Sequence, residues 1–71
     1  MTNAYMEVFS QRLRQLREQR GISQRTLGEL LGLSKNMISK YERGERVPSV
    51  TVLISIAEFF DKSVDYIMGR S

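Results

Sequence analysis

An all-α domain of five helices is what this sequence predicts, and three observations predict it. Apolar residues recur three and four positions apart through most of the chain. Ser23, Ser34, Ser49 and Ser63 each precede such a stretch, while Gly21, Gly32, Gly44 and Gly69 follow them. That alternation is how helix caps are distributed, with a hydroxyl for the free N–H groups and a glycine for the left-handed exit. No five-residue window alternates as a half-buried strand would.

Helix one is expected over 4–20, with Tyr5, Phe9, Leu13 and Leu16 inward and arginines on the other faces. A shorter second helix covers 24–31. The third spans 35–43, with Ile38 and Tyr41 as its inward residues. The fourth covers 50–60. Its stripe of Val50, Leu53, Ile54 and Ala57 is joined on the opposite side by Val52, Ile56 and Phe59, so it is expected in the middle of the fold. Pro48 sits just ahead of it, where a missing N–H costs least. The last helix is short, over 64–68.

Composition narrows the function. With 71 residues the chain reads as a single domain over 1–71, able to bury only about 60% of its unfolded surface. It has no Cys and no His, which removes disulfides, thiolate nucleophiles, zinc–thiolate sites and the commonest general base. No enzyme, cofactor or metal centre is expected. The apolar run 50–60 is interrupted by Thr51, Ser55 and Glu58 and is too short for a bilayer. The first residues lack the pattern of a signal peptide, so a cytoplasmic domain without a membrane partner is expected. Charge is uneven: residues 1–46 hold nine basic against five acidic side chains, and 47–71 two against three. A basic part of this kind suits a polyanion.

The stretch 24–43 carries the functional signal. Two short helices meet across Gly32 and the capping Ser34. Leu27, Leu31, Leu33 and Ile38 form the apolar joint, and Gly28 is the small residue where the helices cross. This is the spacing of a DNA-binding helix-turn-helix, although any tight helical hairpin needs a glycine and an apolar joint. The outward face of helix three favours DNA. Lys35, Asn36, Ser39 and Lys40 are rich in donors, and Met37 suits a thymine methyl. An ordinary solvated face is the alternative.

Five strings extend the pattern: L-R-x-L-R-E-Q-R-G-I-S-Q from Leu13, L-G-E-L-L-G-L-S from Leu27, I-S-K-Y-E-R-G-E-R-V-P-S from Ile38, and L-I-S-I-A-E-F-F with V-D-Y-I-M-G towards the end. On these, residues 13–67 resemble the Cro/CI-type, phage lambda repressor-like (Xre) family. The resemblance implies a compact five-helix lambda repressor-like domain that acts as a homodimer on pseudo-palindromic double-stranded DNA, in a bacterial or phage setting. It implies that Gln24, helped by Ser23, binds a phosphate at the start of helix two. It places Lys35, Asn36, Met37, Ser39 and Lys40 at base edges, and Arg43 and Arg46 on the DNA backbone, although solvated loop arginines are the other reading of these two. Arg17 and Glu42 occupy the positions of a structural ion pair.

Gly28 departs from the family's usual alanine, and Leu30 from its frequent polar residue. Helix four's surplus apolar face, with Tyr66, Ile67 and Met68, is the candidate dimer surface. The expected function is a sequence-specific transcriptional regulator, a repressor, with no small-molecule ligand. The alternative is a protein-interaction module on the same fold, such as an antitoxin or bridging factor.

Overall fold

Four serine hydroxyls start four of the helices. Ser23, Ser34, Ser49 and Ser63 accept hydrogen bonds from the backbone N–H groups of Thr26, Met37, Val52 and Tyr66, at 3.0, 3.1, 3.2 and 2.9 Å. The computed structural model describes residues 4–70. Its helices are α1 (Ala4–Gln19), α2 (Gln24–Leu31), α3 (Lys35–Glu42), α4 (Val50–Phe60) and α5 (Val64–Met68). The described residues are all helix and connecting turn, as the serine and glycine punctuation predicts.

Helix α4 ends without a glycine. Asp61 takes the left-handed conformation there, with φ 55°, which a short polar side chain tolerates better than a branched one. No sequence signal had marked that exit.

Helix α1 packs against α3 and α5, α2 packs against α3, and α4 lies against α5 and α2. The core joins Met6, Phe9, Leu13 and Leu16 of α1 to Leu27, Ile38, Tyr41, Ile56, Ala57, Phe60 and Ile67. Phe9 meets Tyr41 edge to face, with centroids 6.0 Å apart. Beside that contact, Ser10 donates to the Tyr41 carbonyl at 2.7 Å. Arg12 is half-buried: its guanidinium lies 4.2 Å above the Tyr66 ring and donates to the Tyr66 carbonyl, fastening α5 to α1.

Three sequence expectations are corrected. Met6 takes the inward place expected of Tyr5, which is 49% exposed. Both lie within one turn of Phe9, and the buried face of α1 runs through 6, 9, 13 and 16. Helix α4 is not surrounded: Ile56, Ala57 and Phe60 are buried, but Val50 is 72% and Ile54 45% exposed. Its apolar residues outnumber the neighbours available to cover them. The candidate dimer surface also changes, because Ile67 is fully buried and Tyr66 and Met68 pack against the core.

The α2–α3 turn is the tightest part of the fold. Gly32 has φ 72°, and the Leu33 N–H returns to the Gly28 carbonyl at 2.7 Å, closing the helix end in the manner of a Schellman turn. The return brings the Leu33 carbonyl against Gly28, where an added Cβ would stand only 2.6 Å from that oxygen. Leu27 and Ile38 are fully buried at the joint, with Leu31 and Leu33 packed beside them. Gly28→Val is therefore expected to cost at least about 2 kcal/mol through overpacking against backbone. Urea unfolding checks this, and an unchanged midpoint would mean that the turn has room.

Candidate nucleic-acid interface

Helix α3 has two opposed sides. Ile38 and Tyr41 are buried and anchor it to the core, while Lys35, Asn36 and Lys40 are exposed. Asn36, Lys40 and Arg43 follow one another at four and three residues, so they share a face. Met37 stands at the margin, half-buried against the core. The sequence placed Ser39 with the outward donors, and here the structure differs. Ser39 is 9% exposed and its hydroxyl accepts from Arg43 Nη1. It lies between the buried and exposed arcs of the helix, and a side chain this small does not project past the arginine one turn on.

A buried ionic cluster holds the inner end of α3. Arg17 donates through Nε to Glu42 Oε2 at 2.6 Å and through Nη2 to Glu42 Oε1 at 3.1 Å. Its Nη1 donates to the Ile22 carbonyl at 2.9 Å. Gln24 Nε2 adds a hydrogen bond to Glu42 Oε1 at 3.0 Å. The side chains of Arg17 and Glu42 are only 13% and 4% exposed. The hydrogen bond to Glu42 raises the Arg17 pKa above its ordinary value, so the guanidinium is charged at every accessible pH. One carboxylate thus ties α1, the start of α2 and the end of α3.

The Gln24 bond was not expected. The sequence assigned this residue to a phosphate, and its amide is already oriented by Glu42. Because Gln24 opens α2 and is only half-buried, its remaining amide atoms stand at a helix N-terminus, where an anion is favoured. Next to it, Ser23 Oγ donates to Thr26 Oγ1 at 3.0 Å as well as capping the helix.

Past α3 the chain turns through Gly44 (φ 72°) into an exposed loop that carries Glu45 and Arg46. Arg43 donates to both carboxylate oxygens of Glu45, Nε to Oε2 at 2.8 Å and Nη2 to Oε1 at 3.1 Å. That hydrogen bond pulls the Glu45 carboxyl below the usual carboxylate range. The attraction is complete above the ordinary Glu pKa and fades as pH falls through the lowered one. An arginine and a glutamate flanking a turn glycine are the only sequence trace of this pair.

The exposed face therefore presents Lys35, Asn36, Lys40 and Arg46, with Arg43 already engaged by Glu45 and Ser39. The helix-turn-helix family model matches residues 13–67. The chain belongs to the helix-turn-helix family. Among solved structures it is similar to the P22 c2 repressor protein in complex with synthetic operator 9T, with a TM-score of 0.82 and 30% identity over 89% of this chain and 96% of that one. It is also similar to the restriction-modification controller protein C.AhdI of Aeromonas hydrophila, with a TM-score of 0.78 and 35% identity over 87% and 90% of the two chains. A helix-turn-helix transcriptional regulator of Bacillus subtilis, YobD, is 37% identical over 62 residues, covering 87% of this chain and 55% of that protein. The chain spans about half the length of the Bacillus relatives, and only 18% of a Pyrococcus furiosus one.

In this helix-turn-helix protein Arg17–Glu42 is the one buried ion pair among the described residues. Glu42→Ala leaves the buried Arg17 cation unpaired, with an expected loss of about 3–5 kcal/mol. Replacing both partners with apolar residues, Arg17→Met with Glu42→Leu, is expected to lose much less. Thermal melts of the two variants check the order; equal losses would mean that the pairing does not govern stability.

Proposed function

We propose that this protein is a sequence-specific, double-stranded-DNA-binding transcriptional regulator, a repressor, working in the cytoplasm of a bacterium or on behalf of a phage. The carrying observation is the outward face of α3. Lys35, Asn36 and Lys40 are exposed on a helix whose opposite side is locked by Ile38, Tyr41 and Glu42. Such a helix enters a major groove as a rigid body. Lysine suits guanine O6 and N7, and asparagine suits adenine N6 and N7. Met37, half-buried at the margin, suits a thymine methyl. Backbone contacts come from Ser23 and Gln24 at the start of α2 and from Arg43 and Arg46 beyond α3, which fix register without reading sequence. The operator complex of the structurally similar P22 c2 repressor supports the assignment, as does the helix-turn-helix match over 13–67. No step of this function needs a nucleophile, a metal or a cofactor.

The protein acts as a homodimer in this reading, placing two α3 helices about 34 Å apart on one side of the duplex. Selection of duplexes from a random pool at near-physiological salt tests both parts. Enrichment of a two-fold-symmetric motif with half-sites one turn apart is expected. An enriched single half-site would overturn the dimer, and failure to enrich any sequence would overturn sequence-specific recognition and favour a protein partner.

Asn36→Ala is expected to relax preference at one position of the selected site by about 1–3 kcal/mol, leaving the other positions unchanged. Competition binding against single-base variants of the site measures it. A uniform loss across all variants would move Asn36 from the bases to the backbone.

A further inference from the structure

The Arg43–Glu45 pair has no evident task in the fold. Both side chains are 54% exposed, and exposed pairs of this kind add little to stability. Their geometry is nonetheless well defined. The Glu45 N–H bonds back to the Lys40 carbonyl at 2.9 Å and the Gly44 N–H to the Tyr41 carbonyl at 3.2 Å, so the turn after α3 fixes the backbone that carries the carboxylate. The side chain then reaches Arg43 with two parallel bonds, while Ser39 accepts from Arg43 Nη1 on the other side. Two parallel N–H···O bonds are also how an arginine grips two phosphate oxygens. Lys40 adds a weaker attraction for the same carboxylate.

We infer that Glu45 is a built-in competitor of the DNA phosphate: its carboxylate occupies the edge of Arg43 that would otherwise grip the backbone, and so limits the affinity of the protein for DNA. The inference rests on the proposal that Arg43 meets a phosphate. Any phosphate reaching Arg43 must displace Glu45 or approach beside its negative charge. Binding to sequence-independent duplex, which is almost wholly electrostatic, is held down by the same competition. Glu45 is a positioning and affinity-setting residue in this account, and it does not itself read a base.

The test is a double-mutant cycle on the whole chain, using an unrelated 20-bp duplex as probe across a salt series. Glu45→Gln is expected to raise affinity about fivefold, the upper range for an exposed ion pair, and to steepen the salt slope by up to about 0.9. In an Arg43→Ala background the same substitution is expected to change affinity by less than about twofold, because the competed cation is gone. An equal gain in both backgrounds would reduce Glu45 to one negative charge among several and overturn the inference. Wild-type binding with no response to Glu45→Gln would overturn it as well, leaving DNA binding intact. A wild-type chain that binds no duplex at low salt would overturn the DNA reading and this inference with it.

Discussion

The Glu42 carboxylate is the point on which the arrangement of α1, α2 and α3 depends. It is nearly inaccessible to water and accepts from Arg17 Nε, Arg17 Nη2 and Gln24 Nε2. Removing a carboxylate and a guanidinium from water costs several kcal/mol each, and their attraction offsets this only when the remaining hydrogen-bonding capacity is filled. Here it is filled, since no buried side-chain nitrogen or oxygen among the described residues lacks a partner. Arg17 also holds the Ile22 carbonyl, so the α1–α2 connection belongs to the same network. Hydrophobic burial supplies most of the folding free energy in such a domain. The ionic cluster adds direction, because charged hydrogen bonds tolerate less displacement than apolar contacts do.

That direction matters because α3 is short. An isolated helix of eight residues is not stable in water, so Lys35–Glu42 takes its conformation from what holds its ends and inner side. Ser34 holds the start, Ile38 and Tyr41 the inner side, and Glu42 the end. The exposed residues contribute almost nothing to that anchoring. They are consequently free to vary in chemistry while the helix stays in place. A fold organised this way separates the residues that position a helix from those that would read a partner.

The order of helices was legible in the sequence because its signals are local. A serine that caps and a glycine that exits act within four residues of themselves, and helices α2 through α5 begin where the serines stand. The buried joint of Leu27 and Ile38 followed from spacing alone. Three features were not legible, each because it depends on a distant neighbour. Tyr5 and Met6 are adjacent and both apolar, and only the packing of α1 on its neighbours decides which is covered. Helix α4 looks enclosed from its composition, yet Val50 and Ile54 face outward because no element among the described residues covers them. Ser39 looked like an outward donor until the path of Arg43 was known.

The interface shows the same division. Lys35, Asn36 and Lys40 were recognisable because helical periodicity opposes them to Ile38 and Tyr41. The engagement of Gln24 by Glu42 and of Arg43 by Glu45 was not, since a residue's spare hydrogen-bonding capacity is a property of the folded neighbourhood. Counting basic residues would treat Arg17, Arg43 and Arg46 as equal contributors to a positive face. Arg17 is neutralised in the interior and contributes nothing outward. Arg43 is paired at the surface with Glu45. What a duplex would meet is therefore a weaker field than composition implies, concentrated on Lys35, Lys40 and Arg46. On the proposed reading, a weaker field reduces indiscriminate binding more than it reduces binding stabilised by base contacts, so it would leave a larger share of recognition to the side chains of α3.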